Sequence, residues 1–457
     1  MSWDRRVGSG ILGGLGFALA ILMLYVLLLE HLGDWLKVDP RQVEADEIAV
    51  FLLERSEWRI FREGLKAALA ESKGLGRTIA EEDDLLLVET AKSHRLVRFL
   101  WQNARGEGET QAEARKAATG LHPPLAVIGS SNTVLTEALA ERLATDFSKG
   151  RSPGPILLVP WATSVRLLDF YPERTFRFCS NNRRAAERLV AFGLEEAKAR
   201  PPGRVTILVD PRDPYSLDLA RCFREEVLRQ APKANVTDRP DVLSASIRRR
   251  ISGNSETPTP AEQELARAVW ADAVDSPSTS TWLMLPLQNE PARRMIAALN
   301  ATAPSHDLAR RAGLMVVCGD SVGLTTLESY VNLLAFPILG LSSVSHPASG
   351  PPLDLRDDIQ VPAEIAASLL RIVDSSEPMT AERLRQGFQS LKIEANDPIA
   401  FGRPIAFLKS GERSWVSEET ILILQPGQPS VSIRTKGQPA TGSKAHPVER
   451  PSVARTR

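Results

Sequence analysis

Tyr215 stands where a helix begins, behind the apolar run Val205-Thr206-Ile207-Leu208-Val209 and the turn Asp210-Pro211-Arg212-Asp213-Pro214. Leu217, Leu219, Ala220, Phe223, Val227 and Leu228 then recur at helical spacing. A β-branched run of this kind reads as a strand buried on both faces. In open α/β sheets, ligands sit outside such strand C-termini. Tyr215 is therefore a candidate ligand contact, and packing of its own loop is the competing role. Covalent and metal chemistry find little support. The chain has no GxSxG elbow, no GxxxxGK[ST] phosphate loop and no HExxH helix. Ser130 and Ser131 have no base nearby in sequence. The six histidines, including His94, His122, His306 and His346, are scattered without metal-ligand spacing. Glu81-Glu82 and Asp357-Asp358 read as solvated surface. Cys179, Cys222 and Cys318 are far apart and odd in number, so each is read as apolar filler. The expectation is a protein that is not an enzyme and carries no cofactor and no metal.

The elements that must position Tyr215 repeat along the chain. Glu47 to Leu53 predicts a strand, and Ile60 to Leu69 a helix. Leu85 to Val88 predicts a second strand, followed by a long polar helical stretch from Ser93 to Thr119. Leu125 to Ile128 is a third strand, running into Gly129-Ser130-Ser131-Asn132-Thr133 and a helix over Leu135 to Leu143. Ile156 to Val159 is a fourth, followed by Pro160-Trp161-Ala162-Thr163-Ser164. A second set starts near Cys179, with a helix over Arg184 to Ala197 and the strand at 205–209. Ala234 to Val236, Trp282 to Leu287 and Leu314 to Cys318 are further strands, with a helix over Pro291 to Leu299. Ser252 to Pro260 and Asp275 to Ser280 have loop composition and read as parts of an insertion. Helices over Val361 to Val373 and Ala381 to Leu391 follow, then a closing hairpin of Ile405 to Phe407 and Thr420 to Leu424. Such alternation predicts doubly wound sheets.

At 457 residues the chain has room for two or three domains, and its 43% hydrophobic and 25% charged content is that of a globular protein. Lys plus Arg and Asp plus Glu are equal at 56 each, so no overall field favours nucleic acid. Ile11 to Leu29 is uncharged and long enough to cross a bilayer. Arg5 and Arg6 precede it while Glu30 and Asp34 follow, which predicts a cytoplasmic N-terminus. With no small-residue cleavage site behind it, the run is expected to be an uncleaved signal anchor. Gly10, Gly14 and Ala18 share a helical face, which leaves a homodimer open beside the plainer reading of generic small residues. Beyond Gln425 the chain is rich in Pro, Ser, Gly and basic residues and is expected to be disordered.

Five loop motifs then occur in order: VIGSSNT (127–133), VPWATSVRL (159–167), TFRFCSNNRRAA (175–186), RVTILVDPRDPYSLDLA (204–220) and VVCGDSVG (316–323). Together with FGRPIAFLKSGER (401–413), they resemble the leucine/isoleucine/valine-binding-protein-like family of type I periplasmic binding proteins, over roughly residues 46–424. The resemblance implies two doubly wound, Rossmann-like α/β lobes joined by three crossings and a hinge, here preceded by a single transmembrane helix. Taken with the apolar N-terminal run and the polar tail, it divides the chain into a cytoplasmic stub and anchor (1–30), a stalk (31–45), lobe one (46–178 with 345–392), lobe two (179–344 with 393–424) and a tail (425–457). It further implies a ligand carboxylate held by Ser130, Ser131, Asn132 and Thr133 at a helix start, where free N–H groups suit an anion and where a plain helix cap is the alternative. Ala162, Thr163 and Ser164 match the family's pair after the fourth strand, and Tyr215 its second-lobe tyrosine. Asp320 matches the acidic residue that receives a ligand ammonium.

Departures are also plain. Glu54-Arg55-Ser56-Glu57-Trp58-Arg59 replaces the family's Gly-rich loop, and places Trp58 near the usual aromatic over the ligand side chain. Segment 89–124 and the insertion at 252–280 differ as well, and the late helix at 361–367 has no aromatic. The implied function is a membrane-anchored extracytoplasmic solute-binding protein of the inner membrane, its bulk periplasmic. It would close about a small polar ligand, an amino acid by resemblance, and present it to a transporter or sensor. The alternative is a protein-interaction module that keeps the two-lobe fold without a small ligand.

Overall fold

The computed structural model describes residues 39–434, apart from 53, 73, 104–105, 120–122, 148–153, 198–199, 241–256, 276–277, 306–308, 310–312, 343–356, 395, 399–403 and 415–419. The expected anchor at Ile11 to Leu29 and the tail beyond 434 lie outside these residues. Among the described residues, no helix is long and apolar enough to cross a membrane. The chain up to Ala45 forms one unit, and Asp46 onward another. The described part of the first unit is a turn in which the Asp39 carboxylate accepts from the Arg41 N–H at 2.9 Å.

In the second unit, the first seven strands are β1 (Asp46–Leu52), β2 (Gly76–Glu81), β3 (Leu85–Thr90), β4 (Leu96–Asn103), β5 (Ala126–Ile128), β6 (Ile156–Val159) and β7 (Thr175–Arg177). They form one sheet in the order β2-β3-β4-β1-β5-β6-β7. Strands β4, β1, β5, β6 and β7 run parallel, and β2 and β3 add an antiparallel edge. A second sheet holds β8 (Pro202–Leu208), β9 (Asn235–Arg239), β10 (Ser280–Leu285), β11 (Leu314–Cys318) and β12 (Ile338–Ser342), with β15 (Thr420–Leu424) and β16 (Ser432–Arg434) antiparallel at its edge. Its order is β16-β15-β12-β11-β10-β8-β9. A two-stranded piece pairs β13 (Lys392–Ile393) with β14 (Ile405–Ala406). The central strands read as unbroken apolar runs because both faces are covered: every residue of β6, β10 and β11 is buried.

The described helices are α1 (Arg55–Glu71), α2 (Glu107–Thr119), α3 (Thr133–Phe147), α4 (Leu167–Phe170), α5 (Asn182–Glu196), α6 (Pro214–Gln230), α7 (Pro260–Asp275), α8 (Asn289–Ala301), α9 (Leu324–Glu328), α10 (Asp357–Val373) and α11 (Ala381–Ser390). Late in the chain, α10 and α11 return to the first sheet: Ile365, Leu369, Leu384 and Phe388 share a core with Val50, Phe61 and Phe99. Helix α10 lies close against α1 at Gly64, where an added Cβ would stand 2.6 Å from Pro362 Cβ and 2.9 Å from the Ala363 nitrogen. Gly64→Ala is expected to push these helices apart and cost about 1–3 kcal/mol in urea unfolding. An unchanged midpoint would mean that the two helices are free to slide.

Several expectations change. The polar stretch from Ser93 to Thr119 is strand β4 followed by α2, because Leu96-Val97-Arg98-Phe99 alternates and puts Val97 and Phe99 into the core. The supposed insertion at 252–280 contains α7, the crossover between β9 and β10. Leu265, Val269 and Trp270 of α7 fill the second lobe's core. The closing hairpin does not form: β14 pairs with β13 and β15 pairs with β12. The division is set by burial. Ile393, Ile405 and Phe407 belong to the first lobe's core, whereas Leu422 and Leu424 belong to the second's. Ile393, Ile405 and Phe407 therefore pack with lobe one, although the boundary drawn from sequence assigns them to lobe two. Tail residues 432–434 are strand β16, paired with β15, so order extends past Gln425.

The chain passes between the lobes after β7, again between β12 and α10, and last between β14 and β15. This final crossing is pinned by Arg413, which is 1% exposed on its side chain. Its Nη1 donates to Glu364 Oε2 at 2.6 Å, and its Nη2 to the Pro404 carbonyl at 2.9 Å. Glu364, itself fully buried, also accepts from Gln360 Nε2 at 3.0 Å.

Candidate functional site: the cleft between the lobes

In each sheet the strand order reverses next to the first strand, between β1 and β5 in one and between β8 and β10 in the other. Ligand crevices of open α/β sheets open at such points, beyond the strand C-termini. A cavity of about 290 Å³ lies there, lined from both lobes. Lobe one supplies Glu57 and Ile60 after β1, Ser131 and Thr133 after β5, and Trp161 and Cys179 after β6 and β7. Lobe two supplies Tyr215 after β8, Gln288 after β10, and Asp320 and Ser321 after β11.

The local sequence explains how Tyr215 is aimed. Asp213 caps α6 by accepting from the Tyr215 N–H at 3.1 Å, and Pro214 takes the first helical position. Gln288 Nε2 holds the other Asp213 oxygen at 3.2 Å. The Tyr215 hydroxyl then donates to Asp320 Oδ1 at 2.7 Å. Gly319 makes room for this, since a Cβ there would fall 2.3 Å from the hydroxyl oxygen. Burial pushes the Asp320 carboxyl above its ordinary range, and the Tyr215 hydroxyl opposes that shift by stabilising the charge. The phenol is held well above its usual value by burial and by the neighbouring Asp320 charge, so it remains a donor. Burial also lifts the Cys179 thiol to about 12, which keeps it neutral.

Across the cavity, the loop at 130–133 divides its polar groups. Ser130 Oγ accepts from the Asn132 N–H at 3.1 Å, and Asn132 Oδ1 accepts from the Leu135 N–H at 3.2 Å. These two residues build the start of α3 and do not line the cavity. Thr133 does line it, 6% exposed. The Ser131 hydroxyl donates to Glu57 Oε1.

The remaining candidates sit deeper. Ala162 belongs to the lobe-one core, and Ser164 Oγ donates to Glu137 Oε1 at 2.6 Å. Thr163 is buried and its Oγ1 has no hydrogen-bond partner among the described residues. Trp58 is not in the cleft. It is 1% exposed, stacks on Phe61 with ring centroids 5.9 Å apart, and its Nε1 donates to the Asp83 carbonyl at 2.7 Å. One residue earlier on the helix, Glu57 turns to the cavity instead, as the 100° step between neighbours on a helix requires. Trp161, inside the VPWATS motif, is the aromatic that lines the site. Next to the cleft the lobes are tied by Asp218 of α6, whose Oδ2 accepts from the Val165 N–H at 2.9 Å and from Asn182 Nδ2 at 2.9 Å.

No protein-family model matches the chain, and no curated protein matches it in sequence. Solved structures do match in fold. The ABC transporter substrate-binding protein of Desulfitobacterium hafniense in complex with leucine superposes with a TM-score of 0.57 at 15% identity, covering 85% of this chain and 100% of that one. Leucine-binding protein LivK of Thermotoga maritima gives 0.54 at 15%, over 85% and 97%. A solute-binding protein of R. palustris in complex with benzoate gives 0.56 at 11%, over 88% and 99%. Likeness at these identities concerns fold: the chain has the two-lobe fold of the type I periplasmic binding proteins. Many of its structural neighbours are substrate-binding proteins of branched-chain amino acid transporters.

Proposed function

We propose that the protein is an extracytoplasmic solute-binding protein that holds a small polar ligand between its lobes and presents it to a membrane transporter or sensor. The observation that carries this reading is the cavity itself: Ser131 and Thr133 from one lobe meet the Tyr215–Asp320 pair from the other. The neighbours' complexes with leucine and benzoate support it by analogy of fold. Hinge closure about the ligand would bury it, with one lobe binding first and the other completing the cage. The uncharged run from Ile11 to Leu29 supports a single-pass anchor in the inner membrane, with the lobes on the periplasmic side. Protease added to intact spheroplasts should then degrade the bulk of the chain. Lobes that stay protected until the membrane is broken would reverse this topology.

Thermal unfolding against a panel of amino acids, aromatic acids and amines tests the binding function. A true ligand at a hundredfold over its Kd is expected to stabilise the chain by about 2.7 kcal/mol. If no class in the panel raises the midpoint, the fold is better read as a protein-interaction module.

A further inference from the structure

The lobes also meet outside the cavity, at a junction centred on Asp218. This residue follows Tyr215 by three positions on α6, which puts both on one side of the helix. Its side chain is largely buried, and Arg221 Nη2 holds Oδ1 at 2.6 Å. The other oxygen, Oδ2, accepts from two donors at once: the Val165 N–H of lobe one and Asn182 Nδ2 at the head of α5, each at 2.9 Å. The Val165 side chain packs on the lobe-two core that holds Tyr215 and Leu219. Beside it, Ser164 is tied back into lobe one by its bond to Glu137 of α3. The loop behind β6 thus serves two contacts, with Trp161 lining the cavity and Val165 meeting Asp218.

Two oxygens in the same junction oppose this arrangement. The Thr163 carbonyl accepts from the Asn182 N–H at 2.9 Å, which sets the two residues side by side. Yet Thr163 Oγ1 and Asn182 Oδ1 are buried without a hydrogen-bond partner among the described residues. A buried polar atom in that condition carries its full desolvation cost. We propose that Asp218 is the latch of lobe closure. Its carboxylate grips lobe one from α6, while the stranded Thr163 and Asn182 oxygens favour the parted lobes, where water reaches them. Such opposed terms make the junction a two-state element whose balance small changes can move. A carboxylate suits the task, since it accepts all three donors and a charged acceptor strengthens each bond. Because Tyr215 rides on the same helix, the movement that engages Asp218 also carries Tyr215 toward lobe one. The latch acts in the ligand-free chain, so its failure would leave the solute-binding reading untouched.

The test is a distance measurement between spin labels on the full-length chain in detergent, without ligand. Ser56→Cys and Asn289→Cys place the labels on exposed sites beside the cavity residues Glu57 and Gln288, one on each lobe. The native Cys179, Cys222 and Cys318 are buried, and burial pushes their thiols up to about 12, so they stay unlabelled. In this background Asp218→Ala is expected to lower the ratio of short to long distances by about tenfold or more, the worth of bonds to a charged acceptor. Thr163→Val, which removes the stranded hydroxyl and keeps the shape, should raise that ratio by about fivefold or more. A folded Asp218→Ala protein with the same distances as its parent would overturn the proposal and make the Asp218 contacts part of a pivot that never opens. One common distance in all three proteins would overturn it as well. Should Asp218→Ala fail to fold, Thr163→Val decides alone, and an unchanged ratio there rejects the balance.

Discussion

Replacing Arg413 by methionine is expected to destabilise the protein by about 3–5 kcal/mol, the range for breaking a buried ion pair from one side. Arg413 and Glu364 are 1% and 0% exposed on their side chains. Without the guanidinium, the Glu364 carboxylate keeps the Gln360 amide but loses the charge that offsets its desolvation. The Pro404 carbonyl loses its Arg413 donor as well. Because the pair joins α10 to the last crossing, the loss should appear as a shift of the whole urea transition. The paired replacement Arg413→Met with Glu364→Leu should recover most of it, since an apolar pair carries no desolvation penalty. A single variant within about 1 kcal/mol of wild type would show that water reaches this pair in solution.

Asp320→Asn is expected to move binding and stability in opposite directions. Removing a buried counter-charge from a bound cation typically costs about 2–5 kcal/mol of affinity. The folded-state pKa of Asp320 is raised above its ordinary value near 3.8. A raised carboxyl contributes stability that is fully present below the unfolded value and is lost as pH rises through the folded one. At neutral pH the wild-type protein therefore carries an ionised Asp320 at a cost, and the asparagine variant does not. The amide oxygen still accepts from the Tyr215 hydroxyl. The ligand-free variant should accordingly be the more stable at pH 7, and its advantage should vanish in acid below about 3.8. Urea titrations at both pH values check this. A variant less stable than wild type at neutral pH would make Asp320 a structural residue.

Much of this architecture was legible because parallel strands buried on both faces are short apolar runs, such as Ile156 to Val159 and Leu314 to Cys318. Tyr215 was legible because it opens a helix just past the apolar run Val205 to Val209, where open α/β sheets place their ligands. The edge of the first sheet was not: β2 is largely exposed, with no apolar run to mark it, and the alternation that buries Val97 and Phe99 in β4 is short and flanked by polar residues. Nor was the allocation of Ile393, Ile405 and Phe407 to lobe one, which depends on which core these side chains reach. At the site, the choice between Glu57 and Trp58 turned on the rotation of one helix. The Glu57–Ser131 contact joins residues far apart in the chain, through the pairing of β1 with β5. No local pattern encodes a contact of that range.

The central claim is that the space between the lobes holds a small ligand. Its most direct measurement is titration calorimetry of wild type and Asp320→Asn, side by side, with the compound that most raises the thermal midpoint. The account predicts saturable one-site binding by wild type and none detectable by a variant that remains folded. Equal binding by both proteins would contradict it, as would a variant that loses binding because it has unfolded.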